Sequence, residues 1–310
     1  MSTHSEIAIG VDVGGTTTRV AVVDADGRVF SSRRGPTPSD GRAIVQWIAD
    51  GVRGVVSEST SKGNNPACMG VALPGIVDRA KGVLVRSVNL AALEGRRILD
   101  ELEEQVGLRV VMMTDAEAAT WGEYVTSPTP GDCFAHLRLG TGIACGVVLH
   151  GRLMPTDPQR KTHWDMLAVD QSADAAACSC GLRGCLEMIA SGRVLEEKAR
   201  AIGLTDGISG LQTAYAAGRI EAVEIVRGAA RAVGTAVVNL AREFNVGSVA
   251  IGGGVIERLP CLLAEISEAF TSQRGGRFGS TFVAVGPTRL GDDAGVIGAA
   301  LLASVASFDS

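Results

Sequence analysis

The sequence has no long hydrophobic run and no recognisable leader segment. Its most apolar stretch, residues 232–241, lies between Arg231 and Arg242 and is about ten residues long, too short to cross a bilayer. The first six residues contain neither a basic region nor an apolar one, so we expect no signal peptide. These absences predict a cytoplasmic protein with no membrane partner.

Strong positive charge and the two commonest nucleotide-binding motifs are also missing. The net charge of -5 and the pI near 5.5 argue against a nucleic-acid partner. No glycine loop is followed by Lys-Ser or Lys-Thr, as in a Walker A loop, and there is no G-x-G-x-x-G. No repeat of 20–50 residues indicates a solenoid. With 310 residues, of which 46% are hydrophobic, the chain can form one large or two medium domains.

The stretch of residues 7–19, IAIGVDVGGTTTR, combines a predicted strand with a glycine turn. Ile7, Ile9 and Val11 alternate with other residues, which is typical of a β-strand, and a second strand is predicted at 20–23. Two adjacent glycines let the backbone approach a ligand closely, and successive N–H groups in such a turn bind anions. Asp12 is placed to hold a divalent cation through water. An ordinary hairpin would show the same local pattern.

Two further glycine clusters, at residues 140–142 and 252–254, also follow predicted strands. In open α/β proteins ligands bind beyond strand ends, so the three clusters suggest one nucleotide held by two domains. Residues 127–131, with two prolines and a glycine, mark the predicted boundary. Both halves open with a strand, a glycine turn and a strand, which raises the question of a hidden duplication.

The remaining periodicity predicts alternating strands and helices. Strands are predicted at 69–73, 109–113, 134–139, 143–149, 248–251 and 282–285. Helices are predicted at 40–56, 99–106, 118–124, 229–244 and 296–304, with others starting at 186, 211 and 222.

Three of the seven cysteines, Cys178, Cys180 and Cys185, are clustered. In a cytoplasmic chain such a cluster more often binds metal than forms disulfides. The others are scattered in apolar or mixed surroundings and are expected to be buried thiols: Cys68, Cys133, Cys145 and Cys261.

Over residues 7–302 the sequence resembles the ROK family of sugar kinases and sugar-responsive repressors. DVGGTTTR at 12–19 and LGTGI at 139–143 match its two phosphate motifs, and IGGGV at 251–255 its adenosine motif. LPGIVD at 73–78 and Asn89-Leu90 match sugar-domain stretches. CSCGLRGCLE at 178–187 matches the zinc signature C-x-C-G-x-x-G-C-x-E at every fixed position.

The resemblance implies an α/β fold of the two-domain actin-like, ribonuclease H-like ATPase type, with a cleft between the domains. We expect an N-terminal domain over residues 1–125, onto which a helix at 295–310 packs, and a C-terminal domain with a zinc-loop insertion over 126–294. The resemblance also implies ATP and Mg²⁺, a structural Zn²⁺, a small sugar substrate and a homodimer.

The family pattern assigns roles to particular residues. Asp115, after a predicted buried strand, would be the general base, although an Asp there can also simply cap a helix. The predicted sugar-binding residues are Gly75, Asn89, Thr114, Asp115, His163 and Glu187. The predicted nucleotide- and magnesium-binding residues are Asp12, Gly14, Gly15, Thr16, Thr17, Gly140, Thr141, Gly142, Gly252, Gly253 and Gly254.

Two departures from the pattern concern the sugar and zinc sites. The family's Asn-Asp-Ala-Asn is Thr-Asp-Ala-Glu at 114–117. Its Glu-x-Gly-His, counted without gaps, falls on residues 163–166, so His163 stands for the Glu and Met166 for the zinc-binding His. The predicted zinc ligands are therefore the three clustered cysteines and His163; a cysteine, a water or Asp165 are alternatives to His163.

These residues predict a kinase that transfers the γ-phosphate of ATP to the 6-hydroxyl of a hexose or amino-hexose. Because several hydroxyl ligands are replaced, an amino sugar such as kanosamine is the specific prediction, its ammonium pairing with Glu117, Asp165 or Glu187. A glucokinase or an N-acetylhexosamine kinase is the alternative. A repressor is disfavoured, because only six residues precede Ile7 and the charge is acidic. A non-catalytic sugar-binding regulator is a third hypothesis, against which the retained carboxylates speak.

Overall fold

The computed structural model describes residues 7–61, 63–155, 167–178, 180–273 and 283–306. Their contacts divide the chain into two compact units. The first unit contains the described residues up to Pro128 and those from Asp292 onward. The second unit contains Thr129–Met154 and the described residues from 167 to Gly291.

The first unit is built on a five-stranded mixed sheet in the order β3-β2-β1-β4-β7. Its strands are β1 (Ala8–Val13), β2 (Thr17–Val23), β3 (Val29–Pro36), β4 (Cys68–Leu73) and β7 (Arg109–Thr114); β5 (Ile76–Asp78) and β6 (Val83–Arg86) form a separate hairpin. Its helices are α1 (Gly41–Thr60), α2 (Ile98–Val106), α3 (Asp115–Thr126) and α10 (Ala294–Ala306). β1, β4 and β7 are parallel, whereas β2 is antiparallel to both its neighbours.

Helix α10 packs on this sheet with its backbone close to the strands. A Cβ added to Gly10 of β1 would lie 1.8 Å from the carbonyl oxygen of Val296, and one added to Gly70 of β4 would lie 2.0 Å from that of Ala299. Only glycine leaves room for such an approach. The C-terminal helix is therefore part of the first unit.

The second unit has a sheet in the order β10-β9-β8-β11-β12. Its strands are β8 (Cys133–Leu139), β9 (Ile143–Leu149), β10 (Arg152–Leu153), β11 (Ser248–Gly252) and β12 (Ala284–Pro287). Its helices are α4 (Glu187–Ala190), α5 (Gly192–Ala201), α6 (Gly207–Ala216), α7 (Ile220–Phe244), α8 (Gly254–Arg258) and α9 (Cys261–Gln273). The apolar faces of α5, α6, α7 and α9 share one core with the sheet.

The two sheets have the same topology. In each, a strand pairs antiparallel with its successor, a third strand extends that meander, and two later strands add in parallel on the other side. The hidden duplication considered from the sequence is confirmed at the level of strand order.

Most predicted elements are present, with a few differences. Asp40 caps α1 as predicted, its side chain accepting from the backbone N–H of Ala43 at 3.0 Å. The sequence predictions missed β3, the β5–β6 hairpin, α8 and α9, and they divided α7 into two helices. α7 contains no proline to interrupt it, so the helix is continuous. Its Gly234 packs closely against the backbone of α9. No helix among the described residues is long and apolar enough to cross a membrane.

Candidate active site

The first glycine turn connects β1 and β2 and is held from outside by a threonine. The Gly14 N–H donates to the carbonyl oxygen of Thr17 at 2.9 Å, and the Thr37 hydroxyl donates to that of Gly14 at 2.7 Å. The Thr37 N–H donates to the carbonyl oxygen of Thr16 at 3.0 Å. Gly15 and Thr16 are exposed at the tip, where they can meet a ligand. Thr37 belongs to no motif, so no pattern in the sequence predicted its role.

Asp12 lies partly exposed beside the start of α10. A Cβ added to Gly295 would lie 2.6 Å from Asp12 Oδ2, so the carboxylate sits against the first turn of the helix, where a negative charge is favoured. Arg19 of β2 pairs with the two carboxylates just before α10. Its Nη2 lies 3.0 Å from Asp292 Oδ2, and its Nη1 lies 2.7 Å from Asp293 Oδ1. The C-terminal segment thus forms one wall beside Asp12.

The register of the parallel strands brings the two aspartates to one edge of the sheet. Asp12 pairs with Ala72 of β4, which pairs with Met113 of β7, two residues before Asp115. Adjacent strands lie about 4.8 Å apart, so Asp12 and Asp115 lie at the same edge of the sheet with β4 between their strands. The sequence had predicted the two residues separately.

Asp115 is the first residue of α3, and its neighbour Thr114 is the residue that caps the helix. The Thr114 hydroxyl accepts from the Glu117 N–H at 3.2 Å, and the Glu117 carboxylate accepts from the Thr114 N–H at 2.8 Å, a complete capping box. Asp115 Oδ1 accepts from the Ala116 N–H at 2.9 Å. Thr114 is the N-cap of α3, so the alternative that Asp115 serves only to cap this helix loses its basis.

Glu117 is the residue for which the prediction was wrong. Its side chain is 2% exposed and its Oε2 lies 2.5 Å from Nη2 of Arg79, besides accepting from the Thr114 N–H. A buried carboxylate that already has a cationic partner is not available to the ammonium of a sugar. Arg79 was not singled out in the sequence, because nothing local links it to α3.

Two predicted sugar-binding residues flank the β5–β6 hairpin, and one of them packs on the glycine turn. Gly75 has a φ of +119°, and a Cβ on it would lie 2.2 Å from the carbonyl oxygen of Arg86, at the base of the hairpin. The Ser87 hydroxyl accepts from the Asn89 N–H at 3.3 Å. The Asn89 side chain packs against Gly15, where an added Cβ would lie 2.9 Å from the Asn89 Cβ.

In the second unit Glu187 contacts the second phosphate motif. Its Oε2 accepts from the Ile143 N–H at 3.0 Å, and a Cβ on Gly142 would lie 2.8 Å from the same oxygen. The carbonyl oxygens of Gly140 and Thr141 accept from the first N–H groups of α5, at 2.8 and 3.1 Å. The carboxylate and the loop therefore form one assembly.

The third glycine cluster has two kinds of member. A Cβ on Gly252 would lie 2.1 Å from Thr288 Oγ1, and Gly253 has a φ of +97° and would meet the carbonyl oxygen of Leu139 at 2.6 Å. Packing inside the second unit accounts for these two. Gly254 has no atom near its Cβ position among the described residues, so it is the glycine with an open face.

The three clustered cysteines converge. Their sulfur atoms all lie within 4.8 Å of one another, and Cys180 Sγ lies 3.6 Å from Cys185 Sγ. Burial, together with the adjoining thiols, raises the pKa of Cys185 to about 12. Among the described residues no histidine or carboxylate joins the group. His163 and residues 164–166 lie outside the described part of the chain, so the fourth-ligand prediction stays a prediction.

Comparison with known proteins identifies the chain. The model of the ROK family matches residues 8–306. The chain belongs to the ROK family. A ROK hexokinase from Thermus thermophilus is 30% identical with a TM-score of 0.87, covering 98% of this chain and 100% of the hexokinase. ROK sugar kinases have the actin-like two-domain fold, and the predicted fold class is confirmed.

Two other relatives specify the enzyme class. A ROK family glucokinase from Streptomyces griseus, solved in complex with glucose and AMPPNP, is 30% identical, with a TM-score of 0.75 and coverage of 96% and 99%. An N-acetylmannosamine kinase from Citrobacter koseri is 29% identical over 298 residues, 95% of this chain and 98% of that protein. The chain is a sugar phosphotransferase of the ROK family.

The departure from the ROK pattern at residues 114–117 has a structural explanation. Thr114 and Glu117, which replace two amides, bind each other's backbone N–H in the capping box, so the two replacements work together. Thr114 is 5% exposed, and its hydroxyl is already an acceptor there. Asp115 between them is half-buried.

Proposed function

We propose that this ROK protein transfers the γ-phosphate of ATP to the 6-hydroxyl of a hexose or amino-hexose, with Asp115 as the general base. The observation that carries the proposal is that Asp12 and Asp115 share the carboxyl edge of β1, β4 and β7. Phosphoryl transfer needs a metal-binding carboxylate and a proton acceptor held at a defined separation. The glucose and AMPPNP complex of the S. griseus relative supports the choice of sugar and nucleotide.

Asp115 has the position that a general base needs. It lies at the end of a buried strand, half-buried, in the first turn of a helix whose cap is supplied by Thr114. The sugar 6-hydroxyl would lose its proton to Asp115 as its oxygen attacks the γ-phosphorus, and ADP would leave. Asn89 would contact the sugar because it packs beside the glycine turn, and Gly75 because it packs on Ser87, whose hydroxyl holds the Asn89 backbone.

The first unit also contains the residues proposed for magnesium and phosphate. Mg²⁺ takes oxygen ligands and keeps several waters, and the partly exposed Asp12 carboxylate fits that requirement. When bound, the ion would neutralise charge on the phosphates. Thr17 begins β2, and Gly14, Gly15 and Thr16 would offer backbone and hydroxyl donors to phosphate oxygens.

The loops of the second unit are proposed to bind the nucleotide. Thr141 and Gly142 are exposed in a loop whose shape is held by Glu187 and α5. Gly254, with nothing near its Cβ position among the described residues, would let the backbone lie against adenosine. Gly252 and Gly253 would act indirectly, by allowing the close packing that shapes the turn.

We propose a structural zinc ion at Cys178, Cys180 and Cys185. Tetrahedral zinc with sulfur at about 2.3 Å separates its ligand atoms by about 3.8 Å, which agrees with the 3.6 Å between the sulfurs of Cys180 and Cys185. His163 is the proposed fourth ligand. The ion would hold the loop that leads directly into Glu187, and so act on the site through structure.

The specific substrate we propose is an amino-hexose of the kanosamine type, with glucose and N-acetylhexosamines as alternatives. With Glu117 excluded, the carboxylates proposed for the ammonium are Glu187 and Asp165; His163 stands where the family has a sugar-reading Glu. A site that lacks the side chains that usually hydrogen-bond the sugar hydroxyls should bind plain glucose weakly. Several hydroxyl groups of the bound glucose would be buried without a hydrogen-bond partner.

A coupled ADP-release assay tests the function and the substrate together. Kanosamine, glucosamine, glucose, mannose and N-acetylated hexosamines would be compared by kcat/KM, with kanosamine expected to rank first. Glucose ahead by about tenfold or more would contradict the amino-sugar proposal but keep the kinase. Absence of ADP release with every sugar would contradict the kinase itself.

A homodimer is also proposed, and the mass in solution from light scattering tests it.

A further inference from the structure

An ion pair connects the β5–β6 hairpin to the first turn of α3. Arg79, the residue that follows β5, reaches Glu117 Oε2 at 2.5 Å. Its side chain is 40% exposed, whereas Glu117, the third residue of α3, is 2% exposed. The same carboxylate oxygen accepts from the Thr114 N–H, so the pair and the capping box share an atom.

The segment that follows the same hairpin reaches the glycine turn. Gly75 packs against Arg86 and Ser87, and the Ser87 hydroxyl holds the backbone of Asn89, whose side chain touches Gly15. Asn89, three residues after β6, therefore contacts the proposed phosphate turn, and Arg79, in the turn of the hairpin, contacts α3. These contacts link the glycine turn to the start of α3 through the hairpin segment.

From these contacts we propose that Arg79 is a positioning residue for Asp115, acting through Glu117; the inference rests on the proposed kinase function. A buried carboxylate keeps its place only with a charged partner and hydrogen bonds. Without the guanidinium, Glu117 would turn toward water and leave the capping box, and the first turn of α3 would move. Asp115 lies in that turn, so the proposed base would move with it.

A second ion pair on the same turn provides a comparison. Lys81 Nζ lies 3.0 Å from Asp78 Oδ2, but its side chain is 76% exposed, and the pair joins two residues of the hairpin only. Exposed pairs of this kind contribute little to structure. Lys81→Ala therefore removes a cation from the turn without removing a contact to α3.

The experiment measures steady-state kinetics and melting of five forms besides the parent: Arg79→Ala, Arg79→Lys, Glu117→Gln, Arg79→Ala with Glu117→Gln, and Lys81→Ala. We expect Arg79→Ala to lower kcat about 10- to 100-fold with KM for Mg·ATP within about twofold, because a shift of about 1 Å in a catalytic group has that effect. Lys81→Ala should match the parent within about twofold.

Two variants separate positioning from general damage to the fold. Gln at 117 keeps the hydrogen bond of the capping box without a charge. Adding Glu117→Gln to the Arg79→Ala protein should therefore restore most of the kcat that Arg79→Ala lost. Arg79→Lys keeps the charge and should retain more activity than Arg79→Ala. If Arg79→Ala does not fold, the lysine variant and the double variant still decide the matter.

Some outcomes would overturn the inference while leaving the kinase intact. One such outcome is that the parent is active and the kcat of Arg79→Ala is within about threefold of that of the parent. The other is that the double variant has a kcat as low as that of Arg79→Ala. A parent that phosphorylates no sugar would instead contradict the proposed function, and the variant series would not be needed to show it.

Discussion

At the scale of single residues, two carboxylates in the first turn of α3 have different environments. Asp115 is half-buried at the sheet edge, whereas Glu117 is 2% exposed and paired with Arg79. The difference follows from geometry, because residues two apart on a helix point in different directions. One carboxylate can therefore meet a substrate while the other stabilises the helix start.

The proposed roles of Asp115 and Asp12 predict different defects. Asp115→Asn should lower kcat by about 10²- to 10⁴-fold, because the proton acceptor is lost, and leave nucleotide affinity nearly unchanged. Asp12→Asn should instead weaken binding of Mg·ATP and leave binding of metal-free ATP almost as it was. Calorimetric titration with and without Mg²⁺, beside the ADP-release assay, checks both. Activity of Asp115→Asn within a few-fold of the parent would rule it out as the base.

At the scale of elements, α10 shows how glycines allow close packing. A Cβ on Gly298 would lie 1.7 Å from the carbonyl oxygen of Ala118 in α3, and Gly122 faces the same crossing. Each of these helices starts at a candidate aspartate: Asp115 is the first residue of α3, and Asp12 lies against the first turn of α10.

Substitution of this glycine should be destabilising, and a matched substitution elsewhere should not. Gly298→Ala is expected to lower the free energy of unfolding by about 1–3 kcal/mol, because the methyl group separates α10 from α3. Gly54→Ala in α1, where no atom lies within 4 Å of the added carbon, should raise it by about 0.5–1 kcal/mol. Urea denaturation measures both. Equal effects would contradict the packing argument.

The cysteine loop makes a prediction about metal. Purified protein should contain about one zinc ion per chain. The Cys185→Ser variant should contain no zinc and should melt at a lower temperature. Cys133→Ala is the control, because this buried thiol of β8 lies outside the cluster. Elemental analysis and thermal melting are the measurements. A metal-free parent whose melting is unchanged by Cys185→Ser would remove the site.

At the scale of the whole molecule, two units of the same strand order carry different loops. The first unit presents its aspartates at the edge of three parallel strands, and the second presents glycine loops and the cysteine cluster. A common topology with different loops is how one fold hosts distinct binding tasks.

The stability of the molecule should fall in mild acid because of His136 in β8. Burial, with the charge of Arg138 adding to it, lowers the pKa of His136 to about 3. The unfolded chain binds the proton near pH 6.5, so this contribution to stability is complete above pH 6.5 and is lost as the pH falls toward 3. The slope is at most about 1.4 kcal/mol per pH unit.

Comparison of two histidine variants isolates this contribution. His136→Gln should flatten the dependence of unfolding free energy on pH between 7 and 5, whereas His150→Asn, at an exposed turn residue, should keep the slope of the parent. Urea denaturation at pH 7, 6 and 5 provides the slopes. A slope for His136→Gln as steep as that of the parent would contradict the assignment.

Local patterns in the sequence were enough to predict much of the fold and part of the site. The alternation from Ile7 to Val11, the glycine turns and the cysteine spacing depend on residues near one another in the chain, so they identified β1, the loops and the family. They also predicted Asp12 from its place near the end of a strand, and the resemblance to the ROK family added Asp115.

Contacts between distant segments were decided only by the tertiary structure. Arg79 pairs with Glu117, and the start of α10 meets Asp12, because the sheet brings their elements together. Burial and pairing depend on which segments become neighbours in space, and no pattern along the chain records this for a single residue. For that reason the sequence could identify Glu117 as an acid near the site, while only the fold showed that its charge is already matched.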